Sequence, residues 1–127
     1  MAARVNGRAI RLMKYWLPVF LCMGVIFHFS SLPGKDIPSL FPLQDILFHG
    51  IIYAALGWLL RRALKNTVTQ GKPSALVLLT VLFGVLYGLS DEFHQIFVPG
   101  RDFSFVDLGA DIIGAAAGGR LYLSWLK

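Results

Sequence analysis

Four apolar runs separated by clusters of charge constrain this chain most, because each approaches the roughly 20 residues a helix needs to cross about 30 Å of hydrocarbon. They cover residues 15–32, 42–60, 73–90 and 105–125. The third stays largely apolar to residue 98, so helices are expected over about 15–32, 42–60, 73–98 and 105–126. Backbone amides and carbonyls have no water to bond within a bilayer, so runs of this length are read as helices. The expected fold is all-α, one four-helix transmembrane bundle over residues 1–127. Composition agrees, because 56% of the 127 residues are hydrophobic and only 15% are charged. A soluble domain this small has too much surface to bury such a fraction. Arg4, Arg8, Arg11 and Lys14 precede the first run as they would in a signal peptide. No Ala-x-Ala-like site follows Phe29, so the run is read as a retained helix. The single cysteine, Cys22, excludes an intrachain disulfide framework and is read as a packing residue.

Charge orients the bundle. Ten of the twelve basic residues lie before the first run, between the second and third, or at the end of the chain. The positive-inside rule makes that side cytoplasmic, with both termini in. All seven acidic residues fall in or beside the two segments left outside. The net charge of +5 is therefore a topological signal and not a nucleic-acid surface. Trp16, Trp58 and Trp125 fall near the inner ends of their runs, as an interfacial aromatic belt would place them. Pro33, Gly34, Pro38 and Pro42 make the first outer loop irregular, and Pro99-Gly100 turns the third helix into the fourth.

The polar residues inside these runs converge on the outer end. Asp45, His49 and Tyr53 recur every four residues and share one helical stripe, so Asp45 is the nearest candidate partner for His49. Glu92 and Gln95 share a face at the end of the third run. Flanking apolar residues imply that this acidic turn is partly buried. On the fourth run, Asp107, Asp111, Gly114 and Gly118 share one face, and the small pair Gly114-x3-Gly118 admits a close helix neighbour. Asp111 is then directed at protein, since an acid facing lipid costs about 2.5–3.5 kcal/mol. Arg101 and Ser104 lead into this face, and an ion pair of Arg101 with Glu92 or Asp107 is expected. Ser30 and Ser31 are read as helix-end caps, with no Gly-x-Ser-x-Gly elbow around either.

Several motifs together resemble the VanZ-like family of small bacterial membrane proteins. These are Phe29-Ser30-Ser31-Leu32-Pro33-Gly34, then Asp45-x3-His49-x3-Tyr53-x2-Leu56-Gly57, then Asp91-Glu92-x2-Gln95-x3-Pro99-Gly100-Arg101-x2-Ser104-x2-Asp107-x3-Asp111-x2-Gly114-x3-Gly118. The resemblance spans about residues 20–120. It implies a multi-pass protein of the bacterial cytoplasmic membrane and a link to resistance against teicoplanin-type glycopeptides. Two positions depart from the family pattern: Ile46 stands where a Lys often follows the Asp of the second motif, and Asp111 where Asn is common.

Three functional classes fit. The first is an envelope accessory factor that binds a lipid-linked precursor or an amphiphilic drug at the outer leaflet through Asp45, His49, Tyr53, Glu92, Gln95, Arg101, Ser104, Asp107 and Asp111. The second is a membrane-embedded hydrolase or transferase for a lipid head group, with Glu92, His49, Arg101 and Asp107 as the catalytic candidates. The third is a small homo-oligomer that carries protons or cations on its buried acids. No metal or other cofactor is expected, because Asp91-Glu92-x-His94 cannot direct all its members at one ion from a regular helix.

Overall fold

The computed structural model describes residues 2–68 and 71–124, all helix and connecting loop. Helix α1 covers Ala2–Ser30, α2 Gln44–Thr67, α3 Pro73–Gln95 and α4 Phe105–Ser124. Two helices extend past their apolar runs into the basic clusters, because Arg, Lys and Ala sustain a helix as well as apolar residues do. At the other end, α3 stops at Gln95, and residues 96–104 form turns and extended chain. Trp125 and Lys127, expected at the inner end, lie outside the described residues.

Among the described residues, α1 from Asn6, α2 and α3 are long and apolar enough to cross a membrane. Helix α4 has comparable length, 20 residues, but carries Asp107, Asp111 and Arg120. It is held chiefly by protein: α2 and α4 form the most extensive helix pair, α3 packs on α4, and α1 packs on α2. Large apolar residues such as Phe20, Ile51, Leu78 and Ile113 are exposed around the outside, as on a protein solvated by lipid.

Small residues set the α2–α4 crossing. A Cβ at Gly114 would strike the Gly50 carbonyl, one at Gly118 the Ala54 carbonyl, and one at Gly57 the Ala115 carbonyl. From Gly50 and Gly114 to Ala54 and Gly118 the partners advance together along both helices, so α2 and α4 run parallel with their backbones in contact. A layer of Val19, Ile26, Tyr53, Leu56, Leu60 and Ala63 fills the space between α1 and α2.

Each end of the bundle is tied by specific bonds. At one end Trp16 Nε1 donates to Thr67 Oγ1 (2.8 Å), and the Arg62 guanidinium lies 4.7 Å over the Tyr15 ring. Arg61, only 1% exposed, donates from Nη1 to the Pro73 carbonyl (2.7 Å), so this member of the basic cluster clamps the α2–α3 connection. At the opposite end the Ser31 hydroxyl bonds back to the Phe27 carbonyl (2.7 Å) as α1 finishes. The Gln44 side chain bridges the loop before α2, accepting from the Leu40 amide and donating to the Pro38 carbonyl. The two loops at this end meet where the Gly34 amide donates to the Pro99 carbonyl (3.0 Å). Gly100 adopts φ +73° there, and no side chain fits between it and Gly34.

Candidate functional site

Where the two loops meet, helices α2, α3 and α4 bring ionisable groups together below them. Helix α2 supplies His49, 8% exposed, and beneath it the fully buried Tyr53. Asp45, one turn above, is exposed and does not partner His49. That partner is Asp111 of α4, whose Oδ1 lies 2.7 Å from His49 Nδ1. Asp107 approaches the other ring nitrogen, with Oδ2 at 3.7 Å from Nε2. The difference from the expected Asp45 pairing follows from the α2–α4 crossing, which presses the acidic face of α4 onto the same stripe of α2.

Helix α3 contributes its last turn. Asp91, Glu92 and Gln95 are all buried, Glu92 completely. Glu92 Oε2 accepts the Ser104 amide (2.9 Å), while Ser104 Oγ accepts the Asp107 amide (3.1 Å). Ser104 thus caps α4 and fastens it to α3 at once. Glu92 meets no arginine: among the described residues, Arg101 forms no ion pair with Glu92 or Asp107. The turn through Gly100 leaves Arg101 half-buried in a cavity wall beside Asp91 and Gln95. His94 takes no part either, its ring stacked on Phe27 at 4.7 Å.

Two adjoining cavities open on this cluster. The inner one, about 210 Å³, has apolar walls from Ile26, Phe29, Phe48 and Ile52 and a polar end at His49, Asp91, Gln95 and Arg101. The outer one, about 620 Å³, is more polar and reaches Ser104 and Asp107, with Pro38, Gln44, Asp45, Gln95 and Arg101 among the residues shared between the two. Asp111, Glu92 and Tyr53 differ in their access: Asp111 and Glu92 lie behind the cavities, and Tyr53 reaches the wall of the inner one.

A family model described as VanZ/LLP1 matches residues 15–126. The chain belongs to the VanZ-like family. With its three long apolar helices, this VanZ-like protein is a membrane protein. No curated protein and no solved structure matches the chain significantly. In this VanZ-like chain the long motif from Asp91 to Gly118 therefore has a physical account. Asp91, Glu92 and Gln95 form the floor of the cluster, the Pro99-Gly100 turn sets the loop contact, Ser104 caps α4, and Gly114 and Gly118 bring Asp111 to His49.

The residues that spacing alone did not single out are Gly50 and Ala54, the α2 half of the crossing, and Asp91 as a member of the buried cluster. Gly50 and Ala54 take part through their carbonyls, and the glycine of α2 that the crossing requires is Gly57, whose Cβ would strike the Ala115 carbonyl.

Proposed function

We propose that this VanZ-like protein resides in the bacterial cytoplasmic membrane with both termini inside. There it binds an amphiphile with an anionic head group, such as a lipid-linked envelope precursor, at the outer end of the bundle, and so lowers susceptibility to teicoplanin-type glycopeptides. The observation that carries this reading is the inner cavity, whose apolar walls lead to a polar end lined by Arg101 together with Asp36, Asp45 and Asp91. An apolar slot whose polar end holds both a guanidinium side chain and carboxylates suits an acyl or prenyl chain joined to a head group that offers a phosphate to Arg101 and hydrogen-bond donors to the acids. The 2.7 Å pair between His49 and Asp111 keeps the nearby imidazole in one orientation.

The test compares cells expressing wild type, Arg101→Met or neither. Teicoplanin inhibition is measured alongside lipid extracted from the purified protein. Wild type is expected to raise the inhibitory concentration and carry phosphate-containing lipid, and Arg101→Met to lose both. Equal sensitivity in all three, with equal lipid content in purified wild type and Arg101→Met, would exclude the reading.

The same His49–Asp111 pair favours a second reading, a lipid head-group hydrolase. The ring nitrogen not bonded to Asp111 would accept a proton from water as that water attacks phosphorus, and would return the proton to the departing alkoxide. Head-group release from a fluorescent lipid phosphate, abolished by His49→Gln, is the outcome that separates this from binding alone. The oligomeric carrier has less support, because α2 of the same chain fills the Gly114/Gly118 face.

A further inference from the structure

The geometry points to a divalent cation site formed by His49, Asp91, Glu92 and Asp111. Each of these residues offers one donor atom, all lie within 4.8 Å of one another, and all four residues are buried. Donors around one ion at about 2.1–2.2 Å stand roughly 3.0–4.4 Å apart, so small rotamer adjustments suffice to close the set.

A buried acidic group alone would not make a site, and two features go further. Glu92 and Asp111 are both 0% exposed, yet Glu92 Oε1 and Asp111 Oδ2 have no hydrogen-bond partner among the described residues. Buried carboxylate oxygens are ordinarily satisfied. In addition, the nearby guanidinium of Arg101, which would neutralise the group, forms no ion pair with it among the described residues. Three carboxylates and one neutral imidazole carry a formal charge of −3, and a divalent ion reduces it to −1 while occupying the free oxygens.

The donors come from three helices, which explains why neighbours in sequence did not announce them. His94, the histidine adjacent to Asp91 and Glu92, is stacked on Phe27, and α2 and α4 deliver His49 and Asp111 instead. Three hard oxygens with one imidazole nitrogen suit Mn²⁺ or Zn²⁺ better than Ca²⁺, which takes six to eight oxygens. His49 and Asp91 line the inner cavity while Glu92 and Asp111 lie behind it, so open coordination positions would face the cavity. The site does not rest on the amphiphile reading, because the ion alone is the probe.

The full-length protein in detergent, stripped with chelator, is titrated with MnCl2 while free Mn²⁺ is followed by electron paramagnetic resonance. Zn²⁺ is tested by equilibrium dialysis with metal analysis. One saturable equivalent is expected, not displaced by equimolar CaCl2. Glu92→Gln keeps an acceptor for the Ser104 amide, and Asp111→Asn keeps one for His49. Each removes a proposed direct ligand and is expected to weaken binding by at least the roughly 10–100-fold that losing an outer partner costs. The exposed Asp102→Asn is expected to bind as wild type does. Saturable binding of neither ion by wild type overturns the proposal. So does binding unchanged in Glu92→Gln and Asp111→Asn, or lost equally in Asp102→Asn.

Discussion

His49 shows how a single residue is decided. Its place on an apolar helix demands a partner, and its stripe with Asp45 and Tyr53 suggests where to look, but the partner comes from another helix. With Asp111 Oδ1 at 2.7 Å and Asp45 exposed, the two acids should behave differently when the histidine or the acid is removed. His49→Leu leaves Asp111 buried without its bond and is expected to destabilise the protein by about 1–3 kcal/mol. Asp45→Ala is expected to leave stability unchanged. Thermal unfolding in detergent measures both, and a large loss from Asp45→Ala with none from His49→Leu would restore the pairing along α2. Arg101 carries the same lesson. Charge balance in the outer loop suggested a pair with Glu92 or Asp107, but the Ser104 amide occupies one Glu92 oxygen and the loop geometry leaves Arg101 in the cavity wall.

At the scale of elements, the pair α2 and α4 determines the rest of the bundle. Two parallel helices approach until backbone meets backbone, and the absence of a side chain at Gly57, Gly114 and Gly118 allows it. A methyl group at Gly118 would collide with the Ala54 carbonyl, and main chain cannot yield as a flexible side chain can. Gly118→Ala is therefore expected to cost about 2 kcal/mol or more through forced separation of the helices. Gly109 has open space around the position of a Cβ. Gly109→Ala should be neutral or add up to about 1 kcal/mol, the usual helix preference for alanine. Equal melting temperatures for the two variants would mean that α2 and α4 do not cross here. The glycine face of α4 was legible from its spacing, whereas its partner was not, because a small-residue face specifies closeness and not which helix comes close.

For the whole molecule, the distribution of charge and the fold make one joint prediction. The loops around Gly34 and Gly100 touch, so residues 35–44 and 99–104 share one end, and the Arg61 and Arg62 clamp marks the other. By the positive-inside rule the excess of basic residues is expected to put the second end in the cytoplasm. Cysteine placed at Leu40, which is 75% exposed, should react with a membrane-impermeant maleimide in intact cells of a Cys22→Ala background. Cysteine at the exposed Lys72 should react only after permeabilisation. The reverse pattern would invert the orientation and place the His49 cluster on the cytoplasmic side.

Composition and periodicity by themselves determined the solvent of this protein, its four helices, the polar character of one end and the small-residue face of α4. Each of these depends on residues close in sequence: a run length sets a span, and a repeat of three or four sets a face. The tertiary structure alone decided that α2 and α4 are parallel and touching, that Asp111 takes His49 from Asp45, that Arg101 lines a cavity, and that Asp91 and Glu92 complete a buried four-donor cluster. A face has a direction but no partner until every helix is packed. The register that joins His49 to Asp111 is set one turn away, where Gly114 seats against Gly50 and Gly118 against Ala54.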